Sequence, residues 1–145
     1  MYDRILVPID GSEAAKNAIP YALDVAETYD AALYTLSVVG TSGGGDGEKR
    51  TSMYEKFGPE SKQQVEALLD RASEKGIRTT AGSIAEGKPH RAILRYADEW
   101  DIDLIVMGTH GRGGIRYPLR RSVTEKVLRR ADVPVLTIRL DEAEE

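Results

Sequence analysis

The sequence has no cysteine, so neither a disulfide framework nor a thiolate metal site is available to it. Histidine occurs only at His90 and His110, too sparsely and too far apart to support a transition-metal site. No apolar stretch approaches the roughly 20 residues needed to cross a bilayer, which argues against a membrane protein. The N-terminus places Asp3 and Arg4 before a short apolar run, which is not the pattern of a signal peptide. A cytoplasmic protein is the simplest expectation. The 145 residues suit one domain with one core, since a chain of this size buries about 68 to 70 percent of its unfolded surface without covalent staples.

Charge of neither sign dominates the whole, with a formal net of -4, but its distribution is uneven. Residues 108–131 hold Arg112, Arg116, Arg120, Arg121, Lys126, Arg129 and Arg130 against Glu125 alone, a local +6 that leaves -10 elsewhere. One basic segment therefore sits in an acidic protein. Lys126, Arg129 and Arg130 also complement the dipole at the C-terminal end of a helix there.

Apolar periodicity alternates between strand and helix along the chain. "RILVPID" reads as a strand. Gly11 and Ser12 break it, and Ala15, Ala18, Ile19, Ala22, Ala26 and Tyr29 follow at helical spacing, with Ser12 as N-cap and a kink expected at Pro20. "ALYTLSVV" is a second strand. The glycines of residues 40–58 predict a flexible surface loop, after which a helix runs from Pro59 to Gly76. "IRTTAGSIA" is a third strand, and Pro89 opens a helix whose face is Ala92, Ile93, Tyr96, Ala97 and Trp100. "DLIVMG", apolar throughout, suits a strand covered on both sides. A helix over 122–131, the strand "PVLTIRL" and a solvated acidic tail at 141–145 complete the chain. This order implies a single Rossmann-like α/β domain, a five-stranded parallel sheet with helices on both faces, and a ligand crevice at the carboxyl ends of the strands.

Two strand ends carry polar residues suited to that crevice, "VPIDGS" after the first strand and "VMGTHGRGG" after the fourth. Ser122 to Glu125 match the SxxE capping box, which would set free N–H groups at the end of the glycine- and arginine-rich segment 108–123. Such a helix start favours phosphate, although capping boxes begin many helices that bind nothing. Nucleic acid is the weaker alternative for this basic segment, because Tyr117 is the one aromatic interleaved with its arginines. "SGGGDG" at 42–47 follows the second strand and reads as a linker. Asp10, His110 and Ser122 lack the GxSxG elbow of a hydrolase triad.

"ILVPIDGS", "GKPHRAILRYADEWDIDLIVMGTHGRGG" and "SVTEKVLRRADVPVL", in this order and spacing, resemble the universal stress protein family over essentially the whole chain outside residues 40–58. The nucleotide-binding branch of that family carries a glycine, two residues, a glycine, nine residues, then glycine and serine or threonine. Gly108, Gly111 and Ser122 match it, and Arg121 replaces the third glycine. The resemblance implies binding of ATP, with or without Mg2+. It places Asp10 at the ribose, Pro8 and Val38 beside adenine, Met107 and Gly108 under the nucleoside, and Gly111, Ser122 and Val123 around the phosphates. Arg112 and Arg121 would add charge at those phosphates.

Arg121 leaves two outcomes open. A left-handed backbone there would cost arginine roughly 1–2 kcal/mol and its side chain could fill the phosphate space. A guanidinium is equally a bidentate phosphate partner. The segment 108–123 contains no acid, so a positioned base and carboxylate-held metal for phosphoryl transfer are lacking and any hydrolysis should be slow. The expectation is a nucleotide-binding stress-response module and not a turnover enzyme. The alternative is a stress protein that binds no nucleotide and acts through protein contacts. The resemblance further implies a homodimer joined at the last strand, whose edge is open to pairing.

Overall fold

A computed structural model describes residues 1–39, 47–77, 80–109 and 118–139, with 47–59 and 118–122 described in backbone alone. The elements are β1 (Arg4–Ile9), α1 (Glu13–Tyr29), β2 (Ala32–Val39), α2 (Gly47–Glu74), β3 (Thr80–Glu86), α3 (Pro89–Glu99), β4 (Leu104–Thr109), α4 (Pro118–Arg130) and β5 (Val135–Arg139). All strand pairs are parallel, and the sheet order is β3-β2-β1-β4-β5. The expected alternating architecture is therefore the observed one. Its topological switch point lies between β1 and β4.

Alternation along each strand divides the core into two layers. Ile5, Val7, Ile9, Leu33, Leu104 and Val106 face α1 and α2, packing on Ala18, Leu23, Val65 and Leu68. Leu6, Tyr34, Leu36, Ile105 and Met107 face α3 and α4, packing on Ile93, Tyr96 and Val127. Thr35 is fully buried on β2, where its hydroxyl donates to the Val7 carbonyl at 2.8 Å and so has a partner without water.

Helix boundaries differ from expectation in two places. The loop expected over 40–58 gives way to helix from Gly47 onward, while residues 40–46 lie outside the described residues. Residues 48–57 include Glu48, Lys49, Arg50, Met53, Glu55 and Lys56, all good helix formers, and these outweigh the isolated pair Gly58 and Pro59. The last helix begins at Pro118 and not at Ser122. Proline's fixed φ suits a first helical turn, where its missing N–H costs nothing. The acidic tail 141–145 is outside the described residues. Helix α1 continues through Pro20 to an Asp30 cap in the left-handed region, whose N–H reaches the Ala26 and Glu27 carbonyls.

Strands β1 and β4 are held together at one end and separate at the other. At their N-terminal ends the Asp103 carboxylate accepts from the N–H of Asp3 at 2.9 Å and of Arg4 at 3.1 Å, and the Asp103 N–H donates to the Arg4 carbonyl at 2.9 Å. Their pairing then covers Ile5↔Leu104 and Leu6↔Ile105, whereas β1 stays in register with β2 as far as Ile9↔Ser37. Pro8 lies beyond the β1–β4 pairing, a place where a central strand tolerates a residue with no N–H to donate.

Helix α1 approaches the end of β4 so closely that a Cβ on Gly108 would overlap the Ala14 carbonyl. The neighbour is backbone and cannot swing aside. Gly108→Ala is expected to lower stability by about 1–3 kcal/mol, as overpacking does, seen as a lower urea midpoint at constant m value. An unchanged midpoint would contradict the close approach.

Candidate functional site

The fork between β1 and β4 opens at the turn Asp10–Ser12. Gly11 has φ +81°, a left-handed conformation that lets β1 reverse into α1 without steric cost. One Asp10 carboxylate oxygen accepts from the Ser12 N–H at 2.9 Å, and the Ser12 hydroxyl accepts from the Ala15 N–H at 3.1 Å. Ser12 is thus the N-cap expected from sequence, and it is buried. These two bonds fix the direction in which α1 leaves and hold Asp10 at the mouth of the fork.

A cavity of about 180 Å³ fills that fork. Pro8, Leu36, Val38, Ile93 and Met107 provide an apolar slot, and Asp10, Ser12, Thr109 and Thr124 provide polar groups around it. Gly108 lines it with bare backbone, and its carbonyl accepts a bond of 3.3 Å from the Thr124 hydroxyl of α4. An apolar slot with a few convergent polar groups is the usual make-up of a small-molecule site, and 180 Å³ lies below the roughly 300–1,000 Å³ typical of whole ligand pockets. It is sized for a small apolar fragment plus part of a polar remainder extending outward.

Of the residues singled out from sequence, Pro8, Asp10, Val38, Met107, Gly108 and Val123 all line this cavity. Gly111 and Arg112 lie outside the described residues. Arg121 and Ser122 fall inside α4, as its fourth and fifth residues, so Ser122 is not the helix start that the SxxE pattern indicated. The free N–H groups within that helix start belong to residues 119 and 120, since Pro118 has none and the fourth helical residue makes the first intrahelical bond. Helical backbone also keeps Arg121 out of the left-handed region.

Sequence reading missed Ser12, Pro89, Ile93 and Thr124 as cavity residues. Pro89 and Ile93 stand four apart at the beginning of α3, hence on one face at the carboxyl side of the sheet. That spacing was a usable signal, but Ile93 reads equally well as core. Thr124 sits three residues before Val127, which is fully buried, so an inward direction for Thr124 follows from the helical period.

His90, next to Pro89, is buried at 7% exposure. Burial lowers its pKa from the ordinary 6.5, and the charges of Lys126, Arg130, Arg91 and Lys88 push it the same way. The α3–α4 interface thus disfavours the charged form of this imidazole. Among the described residues no group of three or more His, Asp or Glu could hold a metal ion.

The family model described as the universal stress protein family matches residues 1–139. The universal stress protein MJ0531 of Methanocaldococcus jannaschii is 32% identical over 145 residues, covering 96% of this chain and 83% of that relative. The solved structure of protein MJ0577 is similar with a TM-score of 0.81 and 26% identity, covering 98% of this chain and 99% of that one. A universal stress protein solved in complex with cAMP superposes with a TM-score of 0.73 at 25% identity, covering 95% of this chain and 97% of that one.

Between the folded pKa of His90 and 6.5 the unfolded chain binds the proton and the folded chain does not, so acidification through this range removes stability. The His90 contribution is absent above pH 7 and a penalty below 6.5. His90→Gln is expected to flatten the fall in thermal midpoint between pH 7 and pH 5 relative to the unsubstituted protein. Identical slopes in the two proteins would contradict a neutral buried imidazole.

Proposed function

Because the chain belongs to the universal stress protein family, we propose that it is an adenine-nucleotide-binding stress-response module of the cytoplasm, with ATP as its ligand. The observation that carries this reading is the convergence at one fork of Pro8, Val38 and Met107 as an apolar slot, bare backbone at Gly108 and the carboxylate of Asp10. A base fits between apolar side chains, and a carboxylate accepts hydrogen bonds from ribose hydroxyls. The relative solved with cAMP supports an adenine ligand on this fold.

In this reading Pro8 and Val38 flank adenine, Met107 and Gly108 lie under the nucleoside, and Asp10 holds the ribose. The phosphates extend from the cavity toward Gly111, Arg112, Arg121, Ser122 and Val123, where arginines supply countercharge. Mg2+ would enter with the phosphates, because the described residues offer no metal cluster of their own. With no acid between residues 108 and 123 to act as base, hydrolysis is at most slow. A homodimer forms through β5, which lies at the sheet edge and exposes Leu136.

One observation favours a second reading, a stress protein that binds no nucleotide and acts through protein contacts. Arg121 replaces the third motif glycine, and it sits inside helix α4.

ATP titration by calorimetry separates the two. The unsubstituted protein is expected to bind saturably, and Asp10→Ala to weaken binding about tenfold, the loss of roughly one charge-assisted hydrogen bond. No binding by either the unsubstituted protein or Arg121→Gly would overturn the nucleotide reading, and binding by Arg121→Gly alone would establish the second one. ATP turnover is expected below about 1 per second, the low end of ordinary enzymes, and several per second would contradict a binding module.

A further inference from the structure

The turn Asp10–Ser12 is a partition. Asp10 and Ser12 line the cavity at the β1–β4 fork, whereas Gly11 lines a second cavity on the other face of the sheet, between α1 and α2. This second cavity has a volume of about 250 Å³. Its floor is apolar, made by Ile9, Ala15 and Leu68, which are at most 8% exposed. Its polar lining is Lys16, Gln64 and Arg71.

The charge of that lining is one-sided. Among the described residues no carboxylate lines the cavity, although the protein as a whole is acidic. Among the described residues, the side chains of Arg71 and Gln64 have no hydrogen-bond or ion-pair partner. Lys16 meets Glu13 at 3.7 Å, but the two side chains are 60% and 76% exposed, and such a pair in water yields readily to another anion. A guanidinium, an ammonium and an amide therefore stand over an apolar floor with donors to offer. Gly11 keeps the space open at its inner end, where a Cβ would come within 3.1 Å of the Gln64 side-chain amide nitrogen.

We propose that the α1–α2 cavity is a second binding site, for a small amphipathic carboxylate. The apolar body lies on Ile9, Ala15 and Leu68 and leaves water. The carboxylate takes the Arg71 fork bidentately, with Lys16 as a further counter-charge and the Gln64 amide as a donor. At about 30 Å³ per water-sized group, 250 Å³ holds roughly eight non-hydrogen atoms, the carbon chain of a medium-chain acid whose carboxylate oxygens lie at the charged lining, and not a membrane lipid. Ile9 and Ala15 border both cavities, whereas Lys16, Gln64, Leu68 and Arg71 line this one and not the fork, so its charged groups stand apart from the nucleotide reading.

Octanoate and octanol titrated into the full chain, with calorimetry as readout, test the site. Saturable binding of one octanoate per chain is expected, with octanol at least about tenfold weaker for want of the charge contacts. Replacing both Lys16 and Arg71 by alanine should bring octanoate down to the octanol level. Ala67→Trp, which adds bulk from an exposed position of the cavity wall, should abolish binding of both with the fold intact by circular dichroism. Non-saturable octanoate binding, equal affinity for octanoate and octanol, or octanoate binding that survives Ala67→Trp would each overturn the proposal.

Discussion

The Ala14 carbonyl occupies the space where any side chain at position 108 would have to be, so the first turn of α1 rests directly on the backbone of β4. Much of the site geometry depends on that contact. It sets how far α1 leans over the switch point, and thereby where the Asp10–Ser12 turn stands at the mouth of the fork. The Ser12 cap and the Asp10 acceptor bond fix the turn from the other side. Glycine at 108 is therefore required by packing whether or not a ligand approaches it, and a motif glycine here has a structural as well as a functional reading.

A cleft in a densely packed sheet needs a reason for two neighbouring strands not to pair to their ends. Here β1 and β4 are fastened at the amino ends by Asp103 and diverge beyond Leu6 and Ile105, with Pro8 past the last pair. The neighbouring β1–β2 pair runs to Ile9. The fork is thus a property of one strand boundary, and α1, α3 and α4 wall it. The other face of the same strands is closed by α1 and α2 around apolar residues, leaving the α1–α2 cavity beside the turn. One short turn consequently touches two cavities of different chemistry.

Strand–helix alternation made the sheet class legible from sequence, because apolar runs such as "DLIVMG" and helical spacings such as Ala15, Ala18, Ala22 and Ala26 are tertiary packing written in the chain. Helix starts were less legible. At α4 two local signals competed, the SxxE pattern at Ser122 and proline at 118, and proline's backbone preference prevailed. At α2 the glycines of 40–47 obscured the helix-forming residues that follow. Side chains at the fork divided by type. Asp10, with no core role, stood out, whereas Ile93 and Thr124 looked like packing residues because their direction into the cavity depends on how α3 and α4 cross the sheet.

In the proposed function, adenine nucleotide occupies the β1–β4 fork. Hydrogen–deuterium exchange with and without saturating nucleotide tests it most directly, since ligand at the fork must slow exchange of the backbone around it. Protection confined to peptides containing residues 8–15, 107–109 and the α4 segment around Val123 and Thr124 is the result predicted. Saturated nucleotide that leaves these peptides unchanged, or protects the α1–α2 cavity in their place, would contradict it.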